Sequence, residues 1–282
     1  MEIVEKIISV PLEFETITLC PIGDVQLNPV DPPNHRLRSH IEWALTQPNP
    51  YFIGMGDYID VASPSNRSRI QAANLYDSVQ DVLEHGAQQG VEQFKELVRG
   101  TEGRWLGMLH GHHFYEFRDG STSDTRLCNL LGTTFLGSCA FVRLVFKRQS
   151  SKGTLACTVW AHHGAGSGMK ASAPLNRLEN IVHYFDADIY LMGHMSKKVG
   201  APLDQLYMTH KSPHKLEHRT KIIAGTGGFS QGYKQGSKYG LHARGSYVEQ
   251  GMMTPAALGG VAIRITPIHS HDTDRLDLHL SL

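Results

Sequence analysis

Five short polar clusters in this 282-residue chain carry side chains that could bind metal or move protons. In order they are Gly23-Asp24-Val25-Gln26, Gly56-Asp57-Tyr58-Ile59-Asp60, Gly111-His112-His113, His162-His163-Gly164 and Gly193-His194-Met195-Ser196. Mixed carboxylate and imidazole donors suit Mn, Fe, Zn or Ni rather than Ca or Mg. Two such ions about 3.5 to 4 Å apart can share a carboxylate, bind a phosphoryl oxygen and hold hydroxide for in-line attack. The chain has 17 histidines, and six of them fall in His110/His112/His113 and His162/His163 with His194 nearby, which points to metal. Singly each cluster has a plainer reading. A Gly-Asp pair at a strand end is ordinary turn chemistry, and one histidine of an adjacent pair is often a buried imidazole with its hydrogen bonds met.

What gives the clusters weight is where they stand. Thr16 to Ile22, Tyr51 to Met55, Trp105 to Leu109, Thr154 to Trp160 and Ile189 to Met192 are short apolar, β-branched runs that read as buried strands. Each runs into one of the five clusters, and loops at strand ends are where an α/β sheet assembles a site. Leu37, Ile41, Ala44 and Leu45 share one helical face. Ile70 to Val98 is amphipathic and predicts two helices or one kinked helix, interrupted near Gly86 and Gly90. Ser172 is placed to cap a helix over Pro174 to Phe185. Lys198 to Lys211, Lys221 to Ala224, Val261 to Thr266 and Leu276 to Leu282 read as strands, with a Gly-rich loop over Gly225 to Gly240. With no repeat or linker, the expectation is a single domain over 1–282, with a helical cap at about 62–100.

The order of the clusters resembles that of calcineurin-like metallophosphoesterases: D-x-H, G-D-x-x-D, G-N-H-[DE], a His after a strand, and G-H-x-H. The match covers about residues 16 to 198, and the run from His162 to His194 is similar to phage and bacterial members. The resemblance implies an α/β fold, a four-layer α/β/β/α sandwich, and a metal-dependent phosphatase or phosphodiesterase that uses activated water. By the same resemblance Asp57 bridges two ions, Asp24 and Gln26 serve the first, and His112, His162 and His194 serve the second. His113 takes the place of the proton donor, and His163 supports His162. Asp60 completes the second block, while Arg67 and Arg69 stand where substrate phosphate could reach them. Three positions depart from the pattern: Gln26 replaces a His, His112 an Asn, and Ser196 the second His of G-H-x-H. The resemblance therefore implies a lopsided centre, with one or two divalent ions per chain, Mn favoured, and the second site the firmer.

Composition limits the partners. Lys and Arg total 27, as do Asp and Glu, so no net field draws the chain to nucleic acid or an anionic membrane. That weighs against a nuclease of the same superfamily, though not against a phosphorylated small molecule, a nucleotide or a local nucleic-acid groove. Ser196 keeps open a degenerate member that binds a phospho-ligand or a partner without hydrolysis. Cys20, Cys128, Cys139 and Cys157 form no C-x-x-C pair. With no apolar run of membrane length and no secretory leader, they predict a reduced cytoplasmic protein, in host cytoplasm if phage-encoded. Gly164 to Gly168 fails the Walker pattern at Met169, and His110-Gly111-His112-His113 lacks the Asp of metallo-β-lactamase-like hydrolases. His269 and His271 read as surface residues.

Overall fold

A computed structural model describes residues 1–10, 15–28, 34–148, 154–166, 168–209, 213–233, 235–236, 245, 247–269 and 274–282. Its elements are β1 (Glu2–Val10), β2 (Ile17–Ile22), α1 (His35–Leu45), β3 (Pro50–Gly54), α2 (Pro64–Ala72), α3 (Asp77–Leu97) and β4 (Trp105–Met108). There follow α4 (Ser123–Leu131), β5 (Cys139–Arg148), β6 (Thr154–His162), α5 (Ala173–Ile181), β7 (Ile189–Met192), β8 (Lys198–Met208) and β9 (Leu216–Gly228). The last are α6 (Tyr247–Gln250), β10 (Gly259–Gly260), β11 (Ala262–His269) and β12 (Asp274–Ser281).

One sheet runs β1-β5-β6-β7-β9-β10, with β8 also on β9, and the other runs β12-β11-β2-β3-β4. Side-chain alternation along the strands decides how they stack. Ile17, Leu19, Ile53 and Met55 of one sheet meet Val142, Leu144, Val159, Ala161, Ile189, Leu191 and Ile222 of the other in a buried middle core. The opposite row of the smaller sheet, Cys20, Ile22, Phe52 and Trp105, is covered by Leu37 and Ile41 of α1, Phe94 of α3 and Leu127 of α4. The outer row of the larger sheet, Trp160, Tyr190 and Ile223, is covered by Leu175, Leu178 and Ile181 of α5 together with Phe185. Three cores separate four layers, so the expected α/β/β/α sandwich is the observed fold. Among the described residues no helix is long and apolar enough to cross a membrane.

Three expectations need correction. The helical region does not break at Gly86 or Gly90. It breaks between Ala72 and Asp77, and α3 passes through both glycines. Each glycine costs the helix about 1 kcal/mol, but burial of Ala87, Gly90, Val91, Phe94 and Leu97 outweighs that. Ser172 stands at the N-cap of α5 without a side-chain capping bond, and Pro174 holds the first turn instead. The loop expected over Gly225–Gly240 begins as strand, because β9 continues to Gly228; residues 234 and 237–240 lie outside the described residues, as do Ser167 and His271. Three strands were not anticipated. β5 is an inner strand of the larger sheet, β1 is an edge strand of it, with Ile3 and Ile7 turned to solvent, and the two-residue β10 pairs with the end of β9.

Candidate metal centre

The five clusters lie on one edge of the sandwich because the strands preceding them run parallel within their sheets: β2, β3 and β4 in one, β6 and β7 in the other. Backbone bonds then tie neighbouring loops. Asp24 N donates to Gly56 O (3.0 Å), the amides of Val25 and Gln26 both donate to Asp57 O (2.9 Å each), and Leu27 N donates to Tyr58 O (3.0 Å). The turns are tight enough that Asp24, Gln26, Asp57, His194 and Ser196 all have left-handed φ, between 46° and 66°. Such a conformation costs a non-glycine residue about 1 kcal/mol, and its concentration in site loops is typical of functional strain. Gly111 is required by contact, since a Cβ there would collide with the amide and carboxylate of Asp57.

Asp57 and His163 form the buried centre, 2% and 1% exposed. Asp57 Oδ1 accepts the backbone amides of His112 and His113, the latter at 3.0 Å. His163 Nδ1 donates to Met55 O at 2.6 Å. Its Nε2 faces Asp57 Oδ2 at 3.5 Å, and this buried nitrogen has no hydrogen-bond partner among the described residues. Two ligand groups meet on it. One donor atom each of His112, His163 and His194 lie within 4.8 Å of one another, as do those of Asp24, Asp57 and His163. His112 Nδ1 and His194 Nδ1 are 3.1 Å apart, and His194 Nε2 donates to Gly166 O at 2.9 Å, which leaves the His194 Nδ1 lone pair facing inward.

The electrostatics call for positive charge here. Burial pushes Asp24 up to about 7 against the opposing pull of His163. Burial also disfavours ionised Asp57, yet the facing imidazole of His163 and the His112 amide hold it well below the usual carboxylate range. Burial likewise works against a charged His163, but Asp57 and Asp24 overcome it and raise its pKa to about 9. Desolvation lowers His112 to about 4, helped by His163 and His194, and lowers His194 too, so both are neutral, ligand-ready imidazoles at pH 7. Two carboxylates and three imidazoles, one of them with an orphaned buried nitrogen, fit a divalent cation.

The structure thus brings together Asp24, Asp57, His112 and His194, with His163 where His162 was expected. Strand parity makes the exchange. His162 shares the outer face of β6 with Trp160, its ring 5.7 Å from the indole, and its Nδ1 accepts Gly164 N at 2.7 Å. His163 continues the inner row of Cys157, Val159 and Ala161. Asp24 spans the two sheets: Oδ1 accepts His194 N and Oδ2 accepts Ser196 N, both at 3.1 Å. Ser196 therefore enters through its amide. Gln26 holds Asp57 O by its amide, and its side chain makes no hydrogen bond among the described residues.

His113 lies at the rim, its Nδ1 2.9 Å from Asp60 Oδ1, and that bond raises its pKa. Arg67 is not free to meet phosphate through Nη1. That nitrogen donates to the carbonyls of Ala62 (2.8 Å), His112 (2.6 Å) and Phe114 (3.1 Å), while the guanidinium lies 3.6 Å above the Phe114 ring. Arg69 is exposed on α2. Asp124 was missed: buried in the first turn of α4, it accepts Gly111 N at 3.0 Å and so fixes the loop that presents His112. An acidic residue in the first turn of a helix, between the capping pair Thr122 and Thr125, is its trace in sequence.

No family model and no curated protein matches the chain. Solved structures similar to it include vacuolar protein sorting 29 from Cryptosporidium parvum, at 12% identity and TM-score 0.34 over 95% of this chain and 99% of that one. A single mutant of Vps29 from Entamoeba histolytica stands at 10% and 0.36, over 94% and 99%. A conserved uncharacterized protein from Streptococcus pneumoniae, described as a predicted phosphoesterase, stands at 10% and 0.31, over 94% and 98%. Scores this low carry no weight for function, and the layers and loops above stand on the chain's own geometry.

Proposed function

We propose that the chain is a calcineurin-like metallophosphoesterase that hydrolyses a phosphomonoester, phosphodiester or pyrophosphate with water as nucleophile. The observation that carries this reading is His163 Nε2, buried and unpartnered between two carboxylates and facing two neutral imidazoles. Asp24, Asp57, His112, His163 and His194 would hold the cation, Mn favoured, with Gln26 and Ser196 at its edge. A divalent ion bound there would supply Lewis acidity toward the phosphoryl oxygens and the attacking water. Asp57 keeps His112 and His113 in register through its amide bonds, so the metal side and the leaving-group side of the site are set by one carboxylate. His113, oriented by Asp60, is placed to give a proton to the leaving oxygen through its free Nε2. Arg67 holds the loop that carries both histidines. In a single domain, α2 borders this rim through Arg67, and a cytoplasmic setting accords with four free cysteines.

Both ligand groups draw on His163, so five donors serve what would otherwise be two full sets. This supports one firmly held ion and a second that is weak or completed by substrate. It also supports a second reading, a member that keeps the ion and binds a phospho-ligand or partner without turnover. Metal-stripped protein reloaded with Mn and assayed on bis-p-nitrophenyl phosphate and p-nitrophenyl phosphate separates the two. Turnover lost in Asp57→Asn supports hydrolysis. Retained metal with no turnover of either ester gives the non-hydrolytic reading, and turnover indifferent to Asp57→Asn overturns the site.

A further inference from the structure

On the helical side of the smaller sheet, α1 and the start of β8 face β10 across a cleft of about 630 Å³, within the size range of small-molecule sites. Its titratable side chains are all basic: His35, Arg36, His40 and Lys198 line it with no Asp or Glu side chain among the described residues, in a chain whose charges balance overall, while Leu282 adds the carboxylate of the last residue. Neither the Arg36 guanidinium nor the Lys198 ammonium has a hydrogen-bond or ion-pair partner among the described residues. The His40 Nε2 atom is also buried without a partner. Gly260 leaves it room, because a Cβ there would sit 2.9 Å from that nitrogen.

Two further features shape what would fit. The Trp43 indole, 42% exposed, lies 5.4 Å from the His40 ring and gives the cleft a flat apolar wall. Arg36 stands in the first turn of α1, a turn without an acidic residue, so the positive end of the helix dipole adds to the same field. Unpaired cations of this kind match the oxygens of a phosphate, and an exposed indole matches a planar ring.

We propose that this cleft binds an organic phosphate carrying a flat ring, a mononucleotide, with Arg36 and Lys198 on the phosphate and Trp43 under the ring. The site is distinct from the metal centre, and binding there requires no metal. Trp43 supplies its own probe, since the other two tryptophans, Trp105 and Trp160, are 6% and 4% exposed. Metal-stripped Asp57→Asn protein is titrated with AMP, adenosine and inorganic phosphate while tryptophan emission is followed. AMP quenches saturably, adenosine binds at least about tenfold more weakly, and phosphate competes with AMP. Arg36→Ala and Lys198→Ala each weaken AMP about tenfold, the scale of one charge-assisted hydrogen bond, with circular dichroism unchanged. Absence of saturable quenching by millimolar AMP overturns the site. Equal affinity for adenosine, or affinity indifferent to both substitutions, overturns its phosphate half.

Discussion

His163 Nε2 and Asp57 Oδ2 face each other at 3.5 Å, both buried, without a hydrogen bond between them, while the other nitrogen of His163 is committed to Met55 O. A gap of that kind between a carboxylate and an imidazole is satisfied by a proton shared imperfectly or by a cation coordinated to both. The second choice predicts that His163→Ala lowers metal affinity by at least about 100-fold, as loss of a ligand in a five-donor set should. His162→Ala, on the opposite face of β6, changes it less than about threefold. Metal content after dialysis and the Mn-induced rise in Tm measure both, and equal losses in the two variants would refute the assignment.

Asp24 and Asp57 both tie their loops through buried partners, so isosteric neutralisation costs each of them stability. Asp24 Oδ1 and Oδ2 accept His194 N and Ser196 N, and the NH2 of Asp24→Asn leaves one of those amides facing a donor, even though desolvation has already pushed the carboxyl up to about 7. Asp57 is held ionised beside His163, and Asp57→Asn leaves that imidazole facing a neutral amide. The metal-free protein should lose about 1 to 3 kcal/mol in each case. Both variants lose Mn-dependent turnover by about 100-fold or more. Urea unfolding with metal chelated measures the stability loss, and an Asp24→Asn protein as stable as the parent would contradict it.

Arg67 reaches the site through the chain it holds. Nη1 gathers three carbonyls and the guanidinium lies on Phe114, a combination that a lysine cannot reproduce. Arg67→Lys and Arg67→Ala should lower kcat by about 10- to 100-fold, by displacing His113 relative to Asp57, with KM changed less than about threefold. A rise in KM at constant kcat would instead mark Arg67 as a phosphate contact.

These contrasts trace what the sequence makes legible. The ends of five strands and their polar clusters could be placed because buried parallel strands are short apolar runs that stop at Gly, Asp or His. The four layers follow from the same alternation. Which of two adjacent histidines points inward depends on the parity of β6, and that was readable in principle: small Cys157 and Ala161 mark the inner row, bulky Trp160 the outer. Arg67 was not readable, because carbonyls leave no signature in sequence. Edge strand β1 was hidden because Ile3 and Ile7 face water while Val4 packs on the core, so its apolar residues do not form one buried run.

His40 provides a pH signature away from the metal. Burial, aided by Lys198, lowers its pKa from 6.5 to about 4, so the unfolded chain binds its proton more tightly than the folded one. Stability from this group is therefore complete above pH 6.5 and falls as pH drops toward 4, by on the order of 3 kcal/mol at most. Below that it levels off. Replacing the ring in His40→Phe removes this slope, and urea midpoints across pH 4 to 7 in both proteins measure it. An unchanged slope would show that the imidazole titrates normally in the folded state.

α3 runs unbroken through both of its glycines. Gly86 lies inside the helix, and a Cβ added there meets nothing within 4 Å. Gly86→Ala removes backbone freedom from the unfolded chain and improves helix propensity with no steric cost, so it should stabilise by about 0.5 to 1 kcal/mol. Gly111→Ala is the opposite case, because its Cβ would strike the amide and carboxylate of Asp57. It should destabilise and abolish Mn retention together. Thermal unfolding of the two variants with and without Mn reads both effects, and a Tm loss in Gly86→Ala would mean that the helix breaks at the glycine after all.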